Sequence, residues 1–288
     1  MINYIFEPVN FKQAKRFIKA KNIDHIILGV SSLSNQINGG FSVQEINYLL
    51  DNKKNVKISL ELNRIFDEEE LKLLTETLNQ INLEKVTYLF YSDLGVNKLV
   101  EEFNYQQKLV YDAYTYLTNY YDINAYLSFN KNIVVSNQIS IEELKKLLNK
   151  VNKPVLIHGF GKSVIFQSKR KLLTNYFEYR NLEFDPKELN YYLQEQYRDE
   201  KLHIFENNYG SNIYESGYYY LFEELETFNN VESVIIHCSD LREKTYQEVV
   251  NAYLDNNQGQ LLNIDIILGK GIMERSSVLL KEKGEQNV

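Results

Sequence analysis

Eight short apolar runs, separated by amphipathic segments, constrain the fold of this 288-residue chain more than any other feature. Each run is nearly continuous in apolar and β-branched residues, which is the pattern of strands buried on both faces. The runs are Tyr4–Glu7, His25–Val30, Val56–Leu62, Lys85–Ser92, Lys108–Tyr114, Asn132–Asn137, Val155–His158 and Ser233–Cys238. Eight such strands alternating with helices close into a barrel, for which about 250 residues is a typical length. We therefore predict an α/β fold of the (β/α)8 TIM-barrel-like type; the alternative is a doubly wound open sheet, which usually needs fewer strands.

Helix start signals fall between the predicted strands. Ser42–Glu45 and Ser140–Glu143 have the pattern of a capping box, in which serine and glutamate side chains satisfy the first free amides of a helix. Asp67–Glu70 begins another helix with acidic residues in its first turn, where the helix dipole favours them. Thr245–Leu254 is the last clear helical pattern. These segments predict helices around the outside of the barrel.

One interval breaks the alternation, because residues 159–232 separate the seventh predicted strand from the eighth. We predict a helical segment after Lys171 in this interval. A β-hairpin follows, formed by His203–Glu206 and Asn212–Glu215 with a turn through Asn207–Gly210. The interval is therefore expected to add structure to one end of the barrel.

The predicted domain organisation follows from this insertion. Residues 1–257 form the barrel domain, with the insertion at 160–230 on its C-terminal face, where barrel enzymes act. Residues 258–288 form a C-terminal extension that packs an extra strand, Leu261–Leu268, on the barrel or on a partner.

Composition excludes several classes of protein. The hydrophobic fraction of 44% can fill a sizeable core, and the net charge of −7 argues against a surface covered by nucleic acid, though not against a local basic patch. No apolar run reaches the ~18 residues that span a bilayer, and the N-terminus lacks a secretory signal. The one cysteine, Cys238, excludes an internal disulfide and any four-cysteine metal site. We predict a cytoplasmic protein without membrane contact.

Polar side chains at the carboxyl ends of the predicted strands converge if the barrel forms. His158 ends the seventh strand and is our candidate general base, with Asp93 or Glu61 as its carboxylate partner. The seventh and eighth strands are neighbours in a closed barrel, so His237 is expected near His158. The competing interpretation is that strand ends are polar simply because loops begin there.

Three sharper motifs fail on spacing or direction. Residues 161–163, Gly-Lys-Ser, resemble the end of a phosphate-binding loop, but that motif needs a glycine at the position of Leu156. His237 and Cys238 are adjacent in a strand, so their side chains point to opposite faces and cannot form a nucleophile–base dyad. The four histidines show no metal-ligand spacing, and we predict no metal site.

A basic and aromatic cluster follows the seventh strand. Arginine and lysine neutralise phosphates, and aromatic rings stack on bases, so the cluster suits an anionic ligand or RNA. The predicted ligand- or RNA-binding residues are Lys162, Lys169, Arg170, Lys171, Asn175, Tyr176 and Arg180. The alternative is an ordinary solvated loop.

Several segments, taken in their order and spacing, resemble the collagenase-like peptidase family called U-32. The resemblance covers roughly residues 24–255. The matching segments are Leu28–Gly29, Asn38, Phe41–Ser42, Ser92–Val96, Leu117–Asn119, Val134–Leu144, His158–Gly159 and Leu172–Tyr176. The barrel-like fold of the family agrees with the strand count. Family members of the hydroxylase type carry four cysteines that bind an iron–sulfur cluster.

The chain departs from the family pattern at these cysteines. Lys162 and Lys171 stand where the family has its first two cluster cysteines, and the last two are missing as well. Asn137 stands where the family has an arginine. An iron–sulfur cluster held by thiolates cannot form without these four cysteines. We therefore predict no cofactor in this chain and an iron–sulfur cluster only in its partner.

The resemblance implies a function for such a chain. It is similar to short, cysteine-poor paralogues that act beside a longer, cysteine-bearing relative in the prephenate-dependent hydroxylation of the wobble uridine of tRNA. That relative is the implied partner, in a heterodimer that contacts tRNA. Two alternatives stay open: a peptidase or collagenase-like hydrolase using the candidate acid–base residues, and a module that binds a small anionic metabolite through the basic cluster. No Ser-His-Asp, Cys-His or metal pattern in the sequence favours proteolysis.

Overall fold

The computed structural model describes residues 2–114, 116–185, 188, 190–197 and 199–274. The strands are β1 (Tyr4–Phe6), β2 (His25–Val30), β3 (Gly40–Phe41), β4 (Lys57–Leu62), β5 (Leu89–Tyr91), β6 (Leu109–Tyr111), β7 (Asn132–Val135), β8 (Val155–Gly161), β9 (Val164–Ser168), β10 (Tyr191–Gln194), β11 (Lys201–Asn207), β12 (Gly210–Tyr214), β13 (Tyr218–Tyr220), β14 (Val231–Ile236) and β15 (Leu268–Gly269). The α-helices are α1 (Phe11–Phe17), α2 (Val43–Asn52), α3 (Glu68–Asn79), α4 (Leu94–Glu102), α5 (Tyr120–Tyr126), α6 (Ile141–Leu148), α7 (Leu172–Tyr179), α8 (Glu243–Leu254) and α9 (Gln258–Leu262). Within these described ranges, every helix is too short or too polar to cross a membrane.

Eight parallel strands form the closed barrel that the sequence predicts. In order around the ring they are β1, β2, β4, β5, β6, β7, β8 and β14, and β14 pairs with both β8 and β1. The closing registers place Tyr4 opposite Val234 and His158 opposite Ile235. All eight predicted strands are present, so the prediction of a TIM-barrel-like α/β fold is confirmed.

The barrel strands are mostly apolar because both of their faces are buried. Alternate residues of a strand point to opposite faces, so Ile27 of β2 points inward while Ile26 and Leu28 pack against the helices. The inward-facing residues form a small separate core: Ile5, Ile27, Phe90, Val110, Val134, Leu156 and Ile235. This core fills the ring below the polar site described in the next section.

The helices begin at the capping signals that the sequence contains. At the start of α6, Glu143 N donates to Ser140 Oγ, and Ser140 N donates to Glu143 Oε2 at 2.9 Å. The same reciprocal pair of hydrogen bonds begins α2 at Ser42 and α3 at Asp67. The capping residues therefore set where three of the outer helices start.

Replacing Ser140 with alanine is expected to cost about 1 kcal/mol of unfolding free energy, because the first turn of α6 loses its capping hydrogen bonds. Urea unfolding followed by circular dichroism measures this difference. Ser128→Ala is the matched control, since Ser128 is exposed and its hydroxyl donates only to the nearby Ala125 carbonyl. Equal losses in the two variants would contradict the assignment of the cap.

Strand β8 is longer than predicted, because it runs past His158 to Gly161. The extension gains a second partner: β13 pairs antiparallel with it and places Tyr219 opposite Gly161. Gly159 permits close packing here, since a Cβ atom at this position would lie 2.2 Å from Val234 Cγ1. The seventh barrel strand thus carries the chain directly into the insertion.

The insertion contains a four-stranded antiparallel sheet in the order β10, β11, β12, β9, which we call the insertion sheet. The sequence predicted only the hairpin of β11 and β12. The outer strands β9 and β10 consist of exposed or half-buried side chains, so they lack an apolar run to reveal them. Asn212 of β12 exchanges hydrogen bonds of 3.1 and 3.3 Å with Asn35 in the loop after β2. The insertion sheet therefore lies across the C-terminal end of the barrel.

The predicted strand Leu261–Leu268 is wrong. Its first part lies in α9, which is capped by Asn257: the Asn257 side chain accepts a hydrogen bond from Gln260 N. Extended chain is found only at β15, which pairs with β13. Residues 275–288 of the predicted extension lie outside the described residues.

Candidate functional site

Titratable side chains from the ends of five barrel strands meet at the C-terminal end of the ring, under the insertion sheet. We call Glu7, Glu61, Asp112, His158 and His237 the mouth cluster. The first four are at most 3% exposed, and the His237 side chain is 13% exposed. Buried charges are costly unless they are paired, so the contacts within this cluster decide its chemistry.

Four members of the mouth cluster form a continuous chain of contacts. Asp112 Oδ1 lies 3.4 Å from His158 Nε2, and His158 Nδ1 lies 3.0 Å from His237 Nε2. His237 Nδ1 lies 3.3 Å from Glu7 Oε2. The expected proximity of the two histidines is therefore present. Because each imidazole contacts a carboxylate and the other imidazole, the arrangement suits sharing protons rather than activating a hydroxyl or thiol nucleophile.

Glu7 and His237 favour each other's charged form. Burial disfavours a charge on Glu7, but hydrogen bonds from His237, Gln36 and the Cys238 amide outweigh it, so the pKa of Glu7 lies below its usual value. Burial also disfavours the imidazolium form of His237, and Glu7 outweighs this effect by its hydrogen bond and charge, so the pKa of His237 is raised. The two side chains behave as a buried ion pair.

Glu61 has the opposite tendency. Burial, together with the negative charge of nearby Glu7, raises the pKa of Glu61 to about 8. Its Oε1 accepts a hydrogen bond from Tyr114 OH at 2.8 Å, and its Oε2 accepts one from Gln36 Nε2. Glu61 therefore keeps its proton to a higher pH than Glu7 does. Two carboxyl groups whose pKa values are driven apart in one site are suited to acid–base chemistry.

Tyr114 contacts both Glu61 and His158. Its hydroxyl donates to Glu61 and accepts from Asn63 Nδ2 at 3.1 Å, and its ring stacks on His158 at a centroid distance of 5.5 Å. Its backbone has a φ of 55°, a region that costs energy for a non-glycine residue, and Ser136 Oγ holds its carbonyl oxygen at 2.5 Å. Burial raises the pKa of Tyr114 well above its usual value, so the phenol keeps its proton.

A small cavity of about 50 Å³ lies between the mouth cluster and the insertion sheet. Carboxamide and phenol side chains dominate its lining, and both types donate and accept hydrogen bonds. These residues are Asn35, Gln36, Asn38, Asn63, Asn137, Gln167, Asn212, Tyr114, Tyr214 and Tyr219. The lining is therefore matched to an uncharged polar group.

Lys162 also reaches this cavity, but its charge is paired with Asp240. Its Nζ lies 2.7 Å from Asp240 Oδ2, and its side chain is only 6% exposed. The Tyr218 hydroxyl donates to Asp240 Oδ1, and His203 Nδ1 lies 3.3 Å from Asp240 Oδ2. Burial opposes the charge of Asp240, but these partners hold the pKa of that carboxyl well below its usual range. We call these four residues the lysine cluster.

The structure brings two of the three predicted acid–base residues together. Glu61 and His158 both lie in the mouth cluster, bridged by Tyr114. Asp93 instead begins α4, where its Oδ1 accepts from Gly95 N at 2.8 Å and its Oδ2 accepts from Phe66 N at 3.1 Å. It borders a separate groove.

The predicted basic cluster is spread over three environments, the first being the cavity that Lys162 reaches. Lys169 lies outside the mouth and contacts Asp67 and Glu70 at 2.5 Å each. The remaining predicted residues are exposed at or next to α7: Arg170, Lys171, Asn175, Tyr176 and Arg180. We call these five residues the α7 surface.

Several functional-site residues were not predicted, among them Glu7, Gln36, His203, Tyr218 and Asp240. Glu7 ends the first predicted strand, and an acidic residue at the end of a buried strand was the available signal for it. Gln36, Asp240 and His203 lie in loops or in the insertion, and they reach the site only through long-range packing. Nothing in the local sequence distinguishes these three residues.

The residues present do not fit an iron–sulfur cluster. Lys162, at the first expected cysteine position, is engaged by Asp240, and Lys171, at the second, is exposed. Cys238 is fully buried in the outer core, and burial raises its pKa well above the usual value, which disfavours the thiolate that a cluster needs. Among the described residues, no group of three His, Cys, Asp or Glu side chains is arranged to hold a metal ion.

The fold and site define a β/α-barrel protein with a buried acid–base cluster at its mouth. The family model described as peptidase family U32 matches residues 9–260, so the chain belongs to this family, as its residues indicated. It is similar to tRNA hydroxylation protein P2 of Bacillus subtilis (strain 168), with 26% identity over 207 residues that cover 69% of this chain and 67% of that protein. It is also similar to the solved structure of the U32 peptidase Mk0906, with 14% identity, a TM-score of 0.49, and coverage of 83% of this chain and 93% of that chain.

Proposed function

We propose that this chain is a subunit without its own redox centre in the hydroxylation of the wobble uridine of tRNA, and that it acts with a longer, cysteine-bearing member of its family. The observation that carries the proposal is its similarity to tRNA hydroxylation protein P2 across 69% of the chain. Membership of peptidase family U32 is in keeping with this role. The proposal assigns the chain to RNA modification rather than to proteolysis.

The proposed reaction requires a redox centre, and this chain lacks the cysteines to hold one. Inserting an oxygen atom into a pyrimidine is a redox reaction, and the single cysteine of this chain is fully buried. A thiolate-held cluster must therefore come from another chain. The contribution of this chain is binding and positioning.

The α7 surface is the proposed contact with RNA. Tyr176 is 52% exposed, and the neighbouring Tyr179 is 84% exposed, next to the exposed Arg180. Exposed aromatic rings stack on unpaired bases, and adjacent cations neutralise phosphates. Such a local patch lets a chain with a net charge of −7 still contact an anionic polymer.

Deletion of the gene tests the proposed function. Hydroxylated wobble uridine, measured by mass spectrometry of purified tRNA, should fall strongly and should return when the wild-type chain is expressed again. The strain must lack any oxygen-dependent route to the same modification. Unchanged hydroxylation in that strain would contradict the proposal.

Co-purification tests the partner. A tagged copy of this chain should bring down the cysteine-bearing relative, and the complex should contain iron while this chain alone contains none. A complex that forms without iron, or iron bound to this chain alone, would contradict the division of roles.

Substitution of the α7 surface should weaken RNA binding. A Tyr176→Ala, Arg180→Ala double variant is expected to bind unmodified tRNA transcript about tenfold or more weakly in the complex, because one stacking platform and one phosphate contact are lost. Electrophoretic mobility shift at fixed salt measures the change. The matched control is Tyr121→Ala with Lys145→Ala, two exposed residues on α5 and α6. An equal loss in the control would show that α7 has no special role.

A further inference from the structure

The Gln36 side chain occupies a position that a ligand would fill. Gln36 lies in the loop after β2, and its carboxamide extends into the mouth cluster. Its Nε2 donates to Glu61 Oε2, and the same side chain helps to hold the pKa of nearby Glu7 below its usual value. A carboxamide nitrogen has two hydrogens, so it can bridge two carboxyl groups. The site between Glu7 and Glu61 is thus built for an N–H donor.

The barrel wall leaves room for this carboxamide. Gly29 of β2 has no side chain, and a Cβ atom there would lie 1.8 Å from Gln36 Oε1. That oxygen is buried and has no hydrogen-bond partner among the described residues. A buried acceptor without a partner is unfavourable. The carboxamide of Gln36 therefore fills the space with its donor satisfied and its acceptor unsatisfied.

A path leads from solvent to this space. The cavity above the mouth cluster shares Gln36, Ile37 and Asn38 with an open groove of about 590 Å³ beside the loop. These three residues form the wall between cavity and groove. Withdrawal of Gln36 would join the two spaces and expose Glu7 and Glu61 to an incoming group.

The charges around the cavity select against an anion. Glu7 is ionised, and the two cations that line the cavity, Lys162 and His237, are already paired with Asp240 and Glu7. Carboxamides and phenols make up most of the remaining polar lining. An uncharged group that offers both N–H donors and carbonyl acceptors matches this lining.

We propose that the barrel mouth binds an amide or cyclic ureide group, such as a pyrimidine base, between Glu7 and Glu61, in the place that the Gln36 carboxamide fills. The ligand displaces Gln36 and donates its N–H to the carboxyl pair. Its carbonyl oxygens meet the carboxamides and phenols of the cavity. The identification of the base rests on the proposed function, whereas the site rests on the contacts of Gln36 alone.

Isothermal titration calorimetry of the full chain with uridine tests this site, with 3-methyluridine as the ligand that lacks the N–H. Uridine should bind about tenfold more tightly than 3-methyluridine, the effect of one hydrogen bond to a carboxyl group. Gln36→Ala should bind uridine about tenfold more tightly than the wild type, because the ligand no longer displaces a bonded carboxamide. Gln36→Asn keeps a carboxamide but shortens its reach, so it should also bind uridine more tightly than the wild type. It provides a second test if the alanine variant does not fold.

Gln107→Ala is the control, since Gln107 lies before β6 at the opposite end of the barrel, and it should bind like the wild type. Equal affinity for the two nucleosides, no binding by any variant, or an equal gain in Gln107→Ala would overturn the inference. If uridine fails to bind while gene deletion abolishes hydroxylation, only the mouth site falls. If uridine binds as expected while deletion leaves hydroxylation intact, only the proposed function falls.

Discussion

Replacing Asp240 with alanine is expected to lower the free energy of unfolding by about 3–5 kcal/mol, because the buried Lys162 ammonium loses its counter-ion. The Lys162 side chain is 6% exposed, so water cannot readily take the place of the carboxylate. The Tyr218 hydroxyl loses its acceptor as well. Urea unfolding followed by fluorescence or circular dichroism measures the loss.

Two controls separate the ion pair from simple truncation. Asp255→Ala removes a carboxylate of the same type just after α8, where it is exposed, and should change stability by less than about 0.5 kcal/mol. A double variant, Lys162→Met with Asp240→Leu, removes both charges and should recover most of the loss, as apolar replacements of buried pairs often do. If the double variant is as unstable as Asp240→Ala, the unpaired charge is not the cause.

Replacing Glu61 with glutamine is expected to stabilise the protein at alkaline pH. The pKa of Glu61 is raised from 4.5 to about 8, so the folded state holds a proton that the unfolded chain releases above pH 4.5. Stability from this group is complete below the unfolded pKa and is lost as pH rises toward 8. The loss is about 1.4 kcal/mol per pH unit for one proton. Glutamine mimics the protonated acid and cannot ionise.

The measurement is the difference in unfolding free energy between wild type and Glu61→Gln from pH 4.5 to 8.5. The difference should be small at the acidic end and should grow to several kcal/mol in favour of the variant. Taking the difference limits the influence of the other groups around Glu61, which are Glu7, Asp112, His237 and Tyr114. Glu248→Gln, on an exposed position of α8, should show no such trend. If this difference in unfolding free energy does not change with pH, Glu61 of the wild type is ionised throughout the range.

Much of the fold could be predicted from sequence, because the barrel strands are buried on both faces. A strand that is buried on both faces needs a nearly continuous apolar run. The run at His25–Val30 is of this kind, and the predicted strand has the bounds of the observed one. The outer strand Tyr191–Gln194 of the insertion sheet has no such run, since most of its side chains are exposed. Strand pairing holds it in place, and pairing partners are not visible locally.

The site residues that could be predicted from the sequence are those at the ends of barrel strands. Glu61 and His158 lie at the ends of strands, so the barrel geometry brings them to one mouth. Gln36 and Asp240 reach the same region through loops whose course depends on packing against the insertion. Lys162 and the residues of the α7 surface lie close together in the sequence. In the structure they differ, because Lys162 is buried against Asp240 and the α7 surface is exposed.

The closing pair of the barrel has a consequence for how the protein is made. Strand β1 takes β14 as a partner, and Tyr4 lies opposite Val234. A ribosome adds about 5–20 residues per second, so tens of seconds separate the synthesis of these two strands. During that interval, β1 has an unpaired edge, and such edges promote association between nascent chains. Chaperone protection during translation is therefore expected to matter until the last barrel strand has left the ribosome.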